Sequence, residues 1–342
     1  MSFLTLPSGK EPFTSRYSSG LLRSDLVDPG ASNSHTQPVA RFAWLTLGYN
    51  LFVIVWGAFV RASGSGAGCG NRWPLCGGSI LPKFPEVQTA IEFFHRATSA
   101  AALGMVFCLL IWCWRKTSKG AWPRYSAVLA LILLLNEGLL GALLVLSNNV
   151  AQNPSPEHAL LLGLHFGNTL LLLGSLSLTA RWLSNGNHRF ALTAAPRERL
   201  AVGLGLAAVM MIGITGSLAA LADTIFPAAS LQSSLLQDFS TSTHNLLRLR
   251  LLHPVAVVLG VIYVLWLIRK SGRNPVHTTR TLHLLSATLM LQIALGGLNL
   301  VLLAPILLQL AHLFVADLFW IFVVLASADV LLRIEKPQIL TR

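Results

Sequence analysis

Eight long apolar runs constrain this chain more than any other feature. They fall near residues 41–62, 91–114, 122–146, 159–182, 199–221, 248–268, 281–303 and 305–332. Each has about the 20 residues that an α-helix needs to cross the hydrocarbon core of a bilayer. Charged residues make up 11% of the chain and hydrophobic ones 54%, against about 25% charged in soluble domains. These runs predict an all-α polytopic membrane protein with eight transmembrane helices.

The 25 Lys and Arg against 13 Asp and Glu give a net charge of +12. In a soluble chain that excess would suggest nucleic acid. Here the basic residues gather in alternate loops: Arg115, Lys116, Lys119 and Arg124, then Arg181, Arg189, Arg197 and Arg199, then Arg269, Lys270, Arg273 and Arg280. Loops 147–158 and 222–247 hold no Lys or Arg. By the positive-inside rule both termini are cytoplasmic, and nucleic acid drops out as a partner in favour of membrane lipid. Loop 63–90 is extracytoplasmic despite Arg72 and Lys83. Residues 1–40 lack the apolar core of a signal peptide, and Glu11, Asp25 and Asp28 argue against a transit peptide. They are expected to form a disordered cytoplasmic tail.

The runs read as a duplication. Gly141-Ala142-Leu143-Leu144-Val145-Leu146 in the third span resembles Gly296-Gly297-Leu298-Asn299-Leu300-Val301 in the seventh. Two pseudo-symmetric four-helix bundles follow, 41–183 and 199–333, joined by a cytoplasmic linker 184–198 and closed by a tail 334–342. With four spans each, they would be parallel repeats about an axis along the membrane normal.

Histidine placement strengthens that reading. Of ten histidines only His95, His165, His253 and His312 lie inside spans away from their ends, one on each even-numbered span. At 1.5 Å per residue they share a depth near the extracytoplasmic side. Paired imidazoles on facing helices suit haem iron. The plain alternative is a hydrogen-bonded packing group or proton relay. Zinc lacks the accompanying Cys or carboxylate set. Pro254 frees the Arg250 carbonyl and shapes the sixth span. Glu92 lies three residues before His95, so the two share a helix face. Arg61, Arg96, Arg248 and Arg250 lie near the outer ends, where they suit haem propionates or simply snorkel to the interface. Glu137 and Asp317 lie deeper, as a proton path or as protonated packing groups.

Cys108 and Cys113 sit inside the second span as packing residues. Cys69 and Cys76 sit in a Gly-rich outer loop where a disulfide is chemically permitted. It would serve as a staple over the site or as a redox-active pair.

Arg61-Ala62-Ser63-Gly64-Ser65-Gly66-Ala67-Gly68-Cys69, the second cysteine at Cys76, and Glu92-x-x-His95 together resemble the haem A synthases. So do the four histidines on even spans, and the resemblance covers roughly 41–333. It implies oxidation of the C8 methyl of haem O to a formyl group, giving haem A for terminal oxidases. It implies substrate haem on His95 and His165, a haem b cofactor on His253 and His312, and an essential carboxylate at Glu92. Haem O synthase and an electron donor are the implied partners, and a homo-oligomer stays open. The implied location is the bacterial inner membrane ahead of the mitochondrial one. Some members carry a second outer cysteine pair that this chain lacks between 222 and 247, although Asp223 and Pro227 match their pattern. Glu137 stands where a glutamine is expected, and Gln292 fills the equivalent repeat position. The rival readings are an electron-transferring bis-histidine cytochrome b and a transporter with histidine proton relays.

Overall fold

The computed structural model describes residues 29–83, 86–150, 153–186, 190–240, 244–271 and 279–334. Ten helices appear among them: α1 (Pro29–Ala62), α2 (Val87–Lys116), α3 (Trp122–Leu146), α4 (Pro156–Ser184), α5 (Pro196–Ile225), α6 (Leu231–Phe239), α7 (Asn245–Arg250), α8 (Leu252–Ser271), α9 (Thr279–Val301) and α10 (Ile306–Leu331). Eight segments are long and apolar enough to cross a membrane, with α7 and α8 together forming the sixth. The protein is an all-α polytopic membrane protein.

Local chemistry sets the helix starts. Pro stands in the first turn of α3, α4 and α5, where its missing N–H costs nothing. Ser155 caps α4 by accepting the His158 N–H, satisfying a donor that has no partner within the helix. Arg115 and Lys116 close α2, and Arg269 and Lys270 close α8, as the helix dipole favours.

Three boundaries differ from the sequence reading. The first helix begins at Pro29 rather than near 41. Thr36, Val39 and Ala40 are buried against the bundle, and such burial extends a helix beyond its apolar run. The expected disorder of 1–28 lies outside the described residues. The loop 222–247 contains a short helix, α6, with an amphipathic pattern too brief to register as a span. The sixth span breaks at Leu251, beside the carbonyl that Pro254 frees.

In the first half α1, α2, α3 and α4 pack into a closed ring. In the second, α5 packs on α8, and α10 packs on α9, α5 and α8, but α8 and α9 scarcely touch. The halves join where α4 meets α5 and α10, and where α1 meets α10. Small residues permit the approach: Gly163 and Gly167 face Ile214, and Gly174 faces Trp320 and Val324. The Trp320 indole donates to the Leu170 carbonyl at 2.6 Å. One buried apolar cluster runs through both halves. At the opposite end from the cysteine loop, Phe190–Leu192 pairs antiparallel with Leu332–Ile334. This two-stranded ribbon ties the linker between the halves to the last described residues.

Candidate active site

A largely apolar cavity of about 1560 Å³ runs between the helices of both halves. Ordinary ligand pockets hold about 300–1,000 Å³, so there is room for more than one large ligand. Glu92, His95, His165, His253 and His312 all line it.

Each histidine ring rests on a glycine of the preceding long helix. A Cβ added at Gly57 on α1 would stand 2.8 Å from His95 Cε1. The corresponding separations are 3.9 Å for Gly141 and His165, 3.0 Å for Gly216 and His253, and 3.3 Å for Gly296 and His312. A glycine therefore lies beneath each of the four rings, and at Gly57, Gly216 and Gly296 a side chain would crowd the imidazole. His95 and His165 are close enough for their charges to interact, and so are His253 and His312.

The ring nitrogens differ in their partners. Nδ1 of His95, His165 and His312 is buried without a hydrogen bond. Nδ1 of His253 lies 3.1 Å from the Ile212 carbonyl. Nε2 of His312 lies 3.1 Å from the Gln292 amide nitrogen. His165 Nδ1 lies 3.3 Å from Glu137 Oε1, an ion-pair distance without hydrogen-bond alignment. Imidazoles so sparsely hydrogen-bonded, at the wall of a large apolar cavity, fit donors to haem iron. Among the described residues no three His, Cys, Asp or Glu side chains converge as they would around a bare ion.

Glu92 is buried and fully engaged. Its Oε2 accepts the Cys69 N–H at 2.7 Å, and its Oε1 accepts from Arg96 Nε at 3.1 Å and from Arg96 Nη2. Arg96 also donates to the carbonyls of Arg72 at 2.6 Å and Leu75 at 2.8 Å. Cys69 and Cys76 are joined in a disulfide with Cα atoms 4.5 Å apart. Thr89 donates to the Gly68 carbonyl at 2.8 Å, and a Cβ at Gly68 would collide with the Gln88 backbone at 2.5 Å. Only glycine lets this loop settle so closely on the first turn of α2. Glu92 and Arg96 thus fasten the disulfide loop over the His95 end of the cavity.

Arg250 does comparable work in the second half. It donates to Asp223 Oδ1 at 2.7 Å, to Asp238 Oδ1 at 2.9 Å, and to Ser234 Oγ at 3.0 Å. These contacts tie α5, α6 and the start of the sixth span together. Arg61 reaches across the halves to the Ala220 carbonyl at 2.9 Å, Thr224 Oγ1 at 2.7 Å and Gln309 Oε1 at 3.2 Å. Arg61, Arg96 and Arg250 line the cavity, whereas Arg248 is exposed and does not. Asp317 is fully buried with no hydrogen-bond partner on either oxygen, away from the cavity lining.

The sequence reading missed α6, Asp238 and Gln309 altogether. It noticed Gly141 and Gly296 as repeat marks, but it did not see Gly57 and Gly216 as their counterparts under His95 and His253.

Comparison with known proteins agrees with this architecture. A relative from Thermus thermophilus named Protoheme IX farnesyltransferase is 39% identical over 301 residues, covering 87% of this chain and 49% of its own length. A Heme A synthase from Halalkalibacterium halodurans is 38% identical over 137 residues, 40% of this chain and 43% of the relative. A Heme A synthase from Bacillus licheniformis is 38% identical over 128 residues, 37% of this chain and 39% of the relative. The matched residues thus span less than half the length of each of these relatives. Residues 40–324 match the COX15-CtaA family profile, described as Cytochrome oxidase assembly protein. Most of the chain lies inside that match, with His95, His165, His253, His312, Glu92 and the disulfide loop, and the protein belongs to the COX15-CtaA family of cytochrome oxidase assembly proteins.

Proposed function

We propose that this chain is a haem A synthase that oxidises the C8 methyl of haem O, through the alcohol, to a formyl group. One observation carries the reading: in a cavity shared by two histidine pairs, a buried carboxylate, Glu92, lines the wall one helix turn from His95. A pure electron carrier needs two such pairs but no carboxylate. The relatives named Heme A synthase support it.

In this reading His95 and His165 hold the substrate haem, and His253 and His312 hold haem b. Bound haem supplies redox-active iron, and the substrate haem also carries the methyl carbon that is oxidised. The rest is work for the chain. Glu92 takes up protons released at that carbon, a general-base role worth about 10²–10⁴ in rate. Arg96 and the Cys69 N–H hold the carboxylate in place, so its position is set before substrate arrives. The apolar lining keeps bulk water from the reacting carbon. Arg61 and Arg250 stand at the cavity margin for propionates. The four-helix halves 41–183 and 199–333 then form a substrate unit and a cofactor unit.

The chain belongs, in this reading, in a bacterial inner membrane with both termini cytoplasmic. The Thermus relative's name speaks of farnesyl transfer to protohaem, and much of its length lies outside the match. A farnesyl-transferring partner upstream would supply the substrate; with water as the oxygen source, methyl to formyl also releases four protons and four electrons, which an external electron acceptor must take.

The test is Glu92→Gln, which keeps shape and removes charge. Purified variant should still bind haem O, while haem A formation, read by extraction and chromatography, falls by about 10²–10⁴. Haem A at the wild-type level would overturn the catalytic role. A purely fastening role for Glu92 predicts something else: lost activity together with labelling of Cys69 or Cys76 only after reductant, at a faster rate than in wild type.

A further inference from the structure

Glu137 on α3 is, among the described residues, the one carboxylate within ion-pair distance of a cavity histidine. Its Oε1 accepts from the Thr169 hydroxyl and stands 3.3 Å from His165 Nδ1, and its Oε2 accepts from the Asn168 amide. Asn168 is itself fixed, donating to the Leu133 carbonyl at 2.9 Å and accepting from Asn136 at 2.8 Å. The carboxylate is therefore held in a built nest of neutral donors with one oxygen turned to the imidazole. No other cavity histidine has this. His253 Nδ1 meets a backbone carbonyl, His312 meets the Gln292 amide through Nε2, and no carboxylate among the described residues lies within ion-pair distance of His95.

We propose that Glu137 is a positioning residue that makes His165 the most electron-donating of the four axial imidazoles. A carboxylate beside the outer nitrogen of a ligating histidine fixes the tautomer, leaves the other nitrogen for the metal, and raises ligand basicity. In this chain the Glu137 carboxylate acts on the ring by its charge, 3.3 Å from Nδ1, which favours the proton on Nδ1 and leaves Nε2 for iron. A richer donor stabilises ferric over ferrous iron, so the first-half site sits at lower potential than the second-half site, where the matching repeat position carries the neutral Gln292, near Nε2 of His312. The proposal rests on the haem reading of the cavity.

The experiment uses the full chain in lipid nanodiscs, reconstituted with protohaem and haem O and titrated by spectroelectrochemistry. His165→Ala first identifies which reduction wave belongs to the first-half site. In Glu137→Gln that wave should move to higher potential, by at least a tenfold change in the ferric-to-ferrous ratio, or about 59 mV for a one-electron couple. The other wave should stay in place. Glu137→Asp, which keeps the charge but fits the nest worse, should shift the wave less than Glu137→Gln does. A structural role reverses that order, because glutamine is the better replacement in shape. Both waves unmoved in Glu137→Gln with both haems bound would overturn the tuning role and leave the haem reading standing. If no bound haem depends on His165, the haem reading of the first half falls and the proposal falls with it.

Discussion

At the residue scale, the recurring arrangement is an imidazole lying on a glycine. The four separations are not equal, and the inequality makes a graded prediction. A Cβ 2.8 Å from His95 Cε1 displaces that ring, whereas one 3.9 Å from His165 Cε1 is ordinary van der Waals contact. Gly57→Ala should therefore lower haem bound per chain, measured as pyridine haemochrome, well below wild type, while Gly141→Ala should leave it unchanged. Equal haem in both variants would show that the close approach is incidental. The histidines and Glu92 were legible in the sequence because ionisable groups inside apolar runs stand out on any reading. The glycines were not, since glycine is common in membrane helices and only the neighbouring helix shows which ones carry a ring. The commitment of Glu92 to the Cys69 amide was equally hidden, because a loop contact across 23 positions leaves no periodic trace.

At the element scale, the two halves secure their loops over the cavity by different chemistry. The first uses the disulfide, Glu92 and Arg96. The second uses Arg250 against Asp223 and Asp238, gripping the short helix α6. The absence of a second cysteine pair between 222 and 247 thus does not leave that loop untied. Hydrogen bonds to charged groups contribute about 1.5–3 kcal/mol each. Asp238→Asn should therefore speed hydrogen exchange at the amides of Leu231–Phe239 by roughly tenfold or more, since about 1.4 kcal/mol is a factor of ten. Exchange unchanged from wild type would show that α6 is held by its apolar contacts alone. The long helices were readable because length and hydropathy suffice to find them. A nine-residue helix with a polar face looks like loop until its partners are known. The break at Leu251 was partly readable, because Pro254 marks the carbonyl that loses its bond.

At the scale of the whole molecule, the helices divide into a buried spine and a lipid-facing periphery. Within their most apolar windows α4 is 61% buried and α10 56%, while α9 is 11% buried. Hydropathy could not foresee this, because lipid and protein interior are equally apolar solvents for a side chain. The spacing of the histidines led the sequence reading to a duplication, and the feature that recurs in both halves is the glycine beneath each ring. The thin cover of α9 and its separation from α8 have a practical consequence. Where the first half closes its own ring, the second leaves one side of its cavity to be walled by whatever surrounds the protein. The acyl chains of the membrane are in that sense part of the vessel, and a solubilising agent is a substituted building material. Transfer from lipid nanodiscs into short-chain detergent should release first the haem that depends on His312, with the haem that depends on His165 retained. Simultaneous loss of both would mean that α9 seals the site without help. Preparations of this protein that differ only in their amphiphile are then, chemically, different vessels around the same reactants.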